Sequence, residues 1–180
     1  VHPKDMQDGK IEISERDIST NLPFVPGVHL AFDHHVSETF RNPGERPNHI
    51  IYPDAPSAAR VVFEHYGGKN RFPASFTIMS VKEAGKRFFP ASFTDMMVAV
   101  DKGDSAQFSR DEILDPKDWV LLNYLMDSRT GLGRFREFRV SNYQLMMDLI
   151  AYCRNHGIDD ILALPDVKER VDLYFEHAEK

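Results

Sequence analysis

The chain has 180 residues, 42% of them hydrophobic and 28% charged, with a formal net charge of −6. This is the composition of a globular protein of one domain, or one domain with a helical appendage, and the acidic balance excludes a surface that would as a whole hold a nucleic-acid backbone. A lone cysteine, Cys153, excludes an internal disulfide and points to a reducing, cytoplasmic setting, while apolar runs such as "MMVAV" at 96–100 are too short to span a bilayer.

The first residues, "VHPKDM", show no secretory signal and read as the start of a fragment or a trimmed chain. Residues 10–14, "KIEIS", alternate apolar and polar and predict a strand. "DISTNLPFVPG" is turn-rich, broken by Pro23, Pro26 and Gly27. "VHLAF" at 28–32 is short and mostly apolar, as in a strand buried inside a parallel sheet. A polar loop with Pro43, Gly44 and Pro47 follows. Then "DAPSAARVVFEHYGG" predicts a helix, with Asp54 or Ser57 as cap, Pro56 in the first turn and Gly67 at the stop. Strand, loop and helix in this order predict an α/β fold, a partial Rossmann-like parallel sheet.

The hexapeptide "FPASFT" occurs at 72–77 and again at 89–94. One return makes no solenoid, so it reads as a small duplication lengthening a surface connection, with a functional lid as the alternative. Beyond residue 109 the pattern is helical. "SRDE" (109–112), "SNYQ" (141–144) and, more loosely, "DVKE" (166–169) have capping-box spacing and predict helices of about a dozen residues or more. Met146, Met147, Leu149 and Ile150 read as helix core by spacing, and Trp119 and Cys153 as packing. The division is placed at residues 1–109 and 110–180.

Chemistry concentrates in "FDHH", where Asp33, His34 and His35 follow a short apolar strand. Neighbouring side chains on a straight strand point to opposite faces, so the three can serve one site only if the strand ends here and the chain turns. Strand C-termini are where open α/β sheets bind ligands. One histidine would then coordinate a metal, the carboxylate would orient it, and the other histidine would reach substrate. Two adjacent histidines can equally be plain polar loop residues. A zinc site from His34 and Glu38 at i, i+4 spacing is weaker, because "VSETFRNPG" is a poor helix with Pro43 and Gly44 so close. Arg129, Arg134, Arg136 and Arg139 cluster beside Phe135 and Phe138. They could grip phosphate or form a solvated connection in which Gly131 and Gly133 only end a helix.

The ordered set "FDHH", "SAARVVFEHYGG", "VAVDKGDSAQF" and "DSRTGLGRFREFRVSNYQLMMDLI" resembles the DHH phosphoesterase superfamily, and most closely its exopolyphosphatase-related branch. Other members are family II inorganic pyrophosphatases, single-strand-specific exonucleases, and nano-RNA and cyclic-dinucleotide phosphodiesterases. The resemblance implies a two-manganese site built from four motifs. In it His34 ligates metal, Asp33 supports, and His35 meets a substrate phosphate. The last motif matches "DSAQF", with Asp104, Ser105 and Phe108; Asp101 is the ligand if the alignment slips. Carboxylates and imidazole suit manganese, with magnesium or cobalt also accepted.

The implied activity is hydrolysis of phosphoanhydride or phosphodiester bonds in polyphosphate or short oligonucleotides. A membrane has no part in it, and a homodimer is compatible. A first Asp-x-Asp motif would precede residue 1, since Asp5 and Asp8 follow no apolar strand. At the second motif stands Asn21, with Asp17 the nearby carboxylate. A C-terminal "GGGH"-like phosphate grip is not in the sequence. The chain is thus expected to contribute about half an active site and to be nearly inert alone. A non-catalytic phosphate-binding module and an inactive fragment are the other classes.

Overall fold

The computed structural model describes residues 3–66, 93–127, 130–132 and 136–178. It divides into two compact units, Val1–Ser105 and Ala106–Lys180, where the sequence placed the division after residue 109.

The first unit contains α1 (Pro3–Gln7), β1 (Ile18–Thr20), β2 (Leu30–Asp33), α2 (Val36–Arg41), β3 (His49–Ile51), α3 (Ala58–His65) and α4 (Phe93–Ser105). The three strands form a parallel sheet in the order β1-β2-β3, with Thr20 opposite Phe32 and Asp33 opposite Ile51. The expected α/β architecture is present, and the internal parallel strand expected at 28–32 is β2, which runs Leu30–Asp33 at the centre of the sheet. Burial explains it: Ala31, Phe32 and Asp33 are all buried, as a strand covered on both faces requires. Phe32 packs with Ala55 and Val61 of the α3 segment, and burying side chains of the size of Phe32 and Val61 stabilises by about 1.5–3 kcal/mol each.

Residues 10–14 are not a strand. Asp17 Oδ2 accepts from Ser14 N at 2.8 Å and from Ser14 Oγ at 2.7 Å, closing a turn, and pairing begins only at Ile18 inside the stretch expected to be all turn. Local side-chain bonding has outcompeted a weak two-isoleucine alternation. Helix α3 is capped by Ser57, whose Oγ accepts from Arg60 N at 3.0 Å; Pro56 precedes the cap instead of entering the first turn. Gly67 and nearly all of the "FPASFT" repeat lie outside the described residues, and only Phe93 and Thr94 of the second copy appear, opening α4.

The second unit is helical: α5 (Arg110–Leu114), α6 (Asp118–Met126), α7 (Asn142–Tyr152), α8 (Ile158–Leu162) and α9 (Pro165–Ala178). Ser109 and Glu112 close a reciprocal capping box, yet α5 has only 5 residues, because Pro116 follows closely and cannot continue a helix. Ser141 caps α7 through Gln144 N, while the Gln144 side chain turns to Asp148. Asp166 does not cap; α9 already begins at Pro165, a residue suited to a first turn.

The core of this unit gathers Leu121, Leu125, Leu145, Leu149, Ile161 and Val167, with Trp119 and Cys153 packed against it. Met146, Met147 and Ile150 are not core: Ile150 is 59% exposed and Met147 48%. Helix α7 carries apolar residues around most of its circumference, and the Leu145–Leu149 line is the one turned inward.

Candidate functional site

Strand β2 ends at Asp33, and the chain turns at once into α2 with His35 at its N-cap position. That turn resolves the crowding of three adjacent polar groups. Asp33 is 2% exposed, and its Oδ1 accepts from His34 N at 2.7 Å, His35 N at 3.2 Å and His35 Nδ1 at 2.7 Å. The carboxylate therefore orients His35, not His34 as the sequence suggested. A carboxylate so placed is an acceptor only, so His35 carries its proton on Nδ1 and presents Nε2 outward.

His34 is held differently. Its Nδ1 lies 3.0 Å from the carbonyl of Ala55, and its Nε2 lies 3.1 Å from Asp104 Oδ2. Both neighbours can only accept, and a neutral imidazole has one N–H. The Ala55 carbonyl takes that proton, and the lone pair on Nε2 then faces a carboxylate. A second proton or a cation reconciles them. A ring N–H given to a backbone carbonyl is a feature that metal-ligating histidines share, and the other nitrogen here stands in ion-pair range of a carboxylate.

Asp104 reaches this point from α4, a helix the sequence reading did not assign. Asp101, the alternative ligand, is engaged elsewhere: its carboxylate accepts from Ser57 Oγ and from the Arg60 guanidinium. Ser105 donates to the carbonyl of Asp101 at 2.6 Å. In the second unit, Phe108 packs against Tyr124.

Asn21 stands at the C-terminal end of β1, beside Asp33. Its φ of 57° lies in the left-handed region, which asparagine tolerates better than most residues, and its N–H bonds to the Phe32 carbonyl at 2.9 Å. Asp17 is just before the opposite end of β1, where hydrogen bonds from Ser14 lower its pKa. Asn21 lines a cavity of about 170 Å3 together with Asp33, His35, Ser37, Glu38 and Arg41.

Sequence reading missed Arg41 and the role of Glu38. Helix α2 does form directly after His35, against expectation, but the Glu38 carboxylate is buried and accepts from Phe24 N at 3.2 Å, Asn42 Nδ2 at 3.0 Å and Arg41. Glu38 is thus committed to its own helix and the Phe24 backbone, and a zinc pair with His34 fails for that reason. The i, i+3 spacing of Glu38 and Arg41 was the available signal.

Asp5 and Asp8 pair with Lys10 and Lys4. Arg129 and Arg134 lie outside the described residues. In the second unit, Arg136 pairs with Glu169 at 3.4 Å and Arg139 with Asp166. Among the described residues no group of three or more His, Cys, Asp or Glu side chains forms a metal-ready cluster, so His34 and Asp104 suit an ion as two ligands and not as a complete set. No helix among the described residues is long and apolar enough to cross a membrane.

No family model matches the chain, and no curated protein matches it significantly. Among solved structures it is similar to the pGpG-specific phosphodiesterase PggH from Vibrio cholerae, at 55% identity with a TM-score of 0.78. That enzyme is a phosphodiesterase specific for pGpG, in keeping with the phosphoesterase resemblance. The match takes in 99% of this chain and 50% of that one, so the chain is similar, over nearly its whole length, to about half of a phosphodiesterase specific for pGpG.

Proposed function

We propose that this chain forms the DHH-type core of a manganese-dependent phosphodiesterase acting on linear dinucleotides such as pGpG. The observation that carries the reading is the His34–Asp104 pair. Two acceptor-facing contacts on one imidazole, at 3.0 and 3.1 Å, are met by a second proton or by a cation where Nε2 meets Oδ2, and the cation is favoured by the place of the pair at the end of a parallel strand, where α/β sheets bind ligands. The 55% identity to a pGpG-specific enzyme supports the dinucleotide over polyphosphate as substrate.

In this reading His34 and Asp104 hold the ion, with magnesium or cobalt as substitutes for manganese. Such an ion lowers the pKa of a bound water and offsets charge building on phosphorus. His35, kept in one orientation by Asp33, directs Nε2 to a substrate phosphate, to which it donates as an imidazolium whose other N–H stays on the Asp33 carboxylate. Asn21, Ser37 and Arg41 border the cavity beside it and can donate to phosphate oxygens. The bonds of Asp101 to Ser57 and Arg60 favour Asp104 over it as the ligand.

The test assays the natural protein against pGpG, a cyclic dinucleotide, a pentanucleotide and short polyphosphate, with and without Mn2+. Manganese-dependent turnover of pGpG is the expected result. Faster turnover of polyphosphate than of pGpG would return the protein to the exopolyphosphatase-related branch. Tight binding of pGpG without turnover would make it a binding module.

A further inference from the structure

Residues 55–60 contact His34 directly and, at Asp101, the helix that carries Asp104. The carbonyl of Ala55 fixes the His34 ring through Nδ1 at 3.0 Å. Two residues on, Ser57 Oγ donates to Asp101 Oδ1 at 2.7 Å. Arg60 donates to Asp101 Oδ2 through Nε at 2.9 Å and through Nη2. Asp101 and Asp104 are three residues apart on α4, and so neighbours on one helix face. Whatever sets the rotation of α4 at Asp101 therefore sets where Asp104 meets His34.

The contact is built to hold an angle. Arg60 is 4% exposed, and a guanidinium that deep is costly unless its donors are filled. Its two N–H groups on one carboxylate oxygen restrict orientation as well as distance, and a serine hydroxyl occupies the other oxygen. Ser57 is itself immobilised, because the same Oγ caps α3 by accepting from Arg60 N at 3.0 Å. The helix cap, the arginine and the carboxylate thus form one closed set of bonds between the start of α3 and the C-terminal half of α4, which carries Asp104.

We propose that Arg60 and Ser57 are positioning residues, which hold Asp104 against His34 through Asp101 and so set the affinity of the metal site. The proposal rests on the reading of His34 and Asp104 as ligands. Outer partners of metal ligands commonly change affinity by about 10–100-fold when removed, which is the size expected here.

The experiment uses the natural full-length protein, stripped of metal and titrated with Mn2+ while the free ion is followed by its EPR signal. The parent and H34A come first: a parent that binds no Mn2+, or H34A that binds as tightly as the parent, overturns the ligand reading and this proposal with it. The pair variant R60M/D101N then removes the buried guanidinium and its partly buried carboxylate partner together and nearly keeps their volume, so its metal-free melting temperature should stay near the parent's. Its Mn2+ affinity should fall by about 10–100-fold, with R60K, which keeps one N–H contact, between the two. Parent-like Mn2+ affinity in a folded R60M/D101N, with H34A still impaired, overturns the positioning role alone. Should R60M/D101N not fold, R60K decides: weakened Mn2+ binding at an unchanged metal-free melting temperature upholds the proposal, and unchanged binding overturns it.

Discussion

Asp33 and His35 are joined through Oδ1 and Nδ1 at 2.7 Å, while the intervening His34 turns its own Nδ1 to the carbonyl of Ala55. Two residues apart, around the end of a strand, they form a pair whose carboxylate also accepts both backbone N–H groups of the turn. Substituting His35→Ala should lower kcat for pGpG by about 100-fold if its Nε2 serves the phosphate in the transition state. Asp33→Asn should give a smaller loss and, because it acts through His35, almost none on top of His35→Ala. Steady-state kinetics on the single and double variants of the natural protein check this; fully additive losses would separate the two residues.

Asp33→Ala should also destabilise the first unit by about 1–3 kcal/mol, since it strands donors that now share one buried oxygen. Urea denaturation of the metal-free protein measures the difference.

Acid should weaken the first unit through His49. Burial pushes its imidazole pKa below the ordinary value, with Asp33 acting upward and Arg46 downward; burial lowers His65 as well. Below about pH 6.5 the unfolded chain takes up a proton that the folded protein refuses. Stability therefore rises with pH across the window from the depressed folded pKa to that point, and falls on acidification. His49→Phe, which can keep the stack on Phe24 seen at 4.7 Å, should narrow the gap between urea midpoints at about pH 5.5 and 7.5. An unchanged gap would assign the pH dependence to other groups.

In the second unit Arg170 is fully buried. It donates to Asn142 Oδ1 at 2.8 Å and to the carbonyls of Asp166 and Val140, and stacks over Phe138 at 3.9 Å. Replacing it by alanine should cost roughly 2–4 kcal/mol, from stranded acceptors and a cavity. Arg170→Lys should recover little, because an ammonium cannot reproduce the planar fork. Thermal and urea melts of these variants supply the check.

The two sides of α7 should respond oppositely. Leu145→Ala or Leu149→Ala should destabilise by about 2–5 kcal/mol, whereas Met147→Lys or Ile150→Glu should stay within about 0.5 kcal/mol. Comparable losses on both sides would mean that the exposed face is covered in the natural protein.

Local signals settled much of this protein before any tertiary contact. A short, mostly apolar run made β2, a cap at Asp54 or Ser57 announced α3, Ser109 and Ser141 began helices, and "FDHH" marked the strand end where the candidate site lies. These depend on residues a few positions apart, so spacing alone reveals them. Tertiary structure decided the rest, because each remaining choice lay between locally equivalent options. Two aspartates three residues apart on α4 were alike until Arg60 and Ser57 claimed Asp101 and left Asp104 to face His34. Either histidine could have taken the Asp33 carboxylate until the turn into α2 brought His35 back onto it. Helix α7 had two apolar stripes, and only packing against α6, α8 and α9 residues selected Leu145 and Leu149 for the core. Spacing proposes which groups can meet; the desolvation of a buried arginine and the filling of a core determine which of them do.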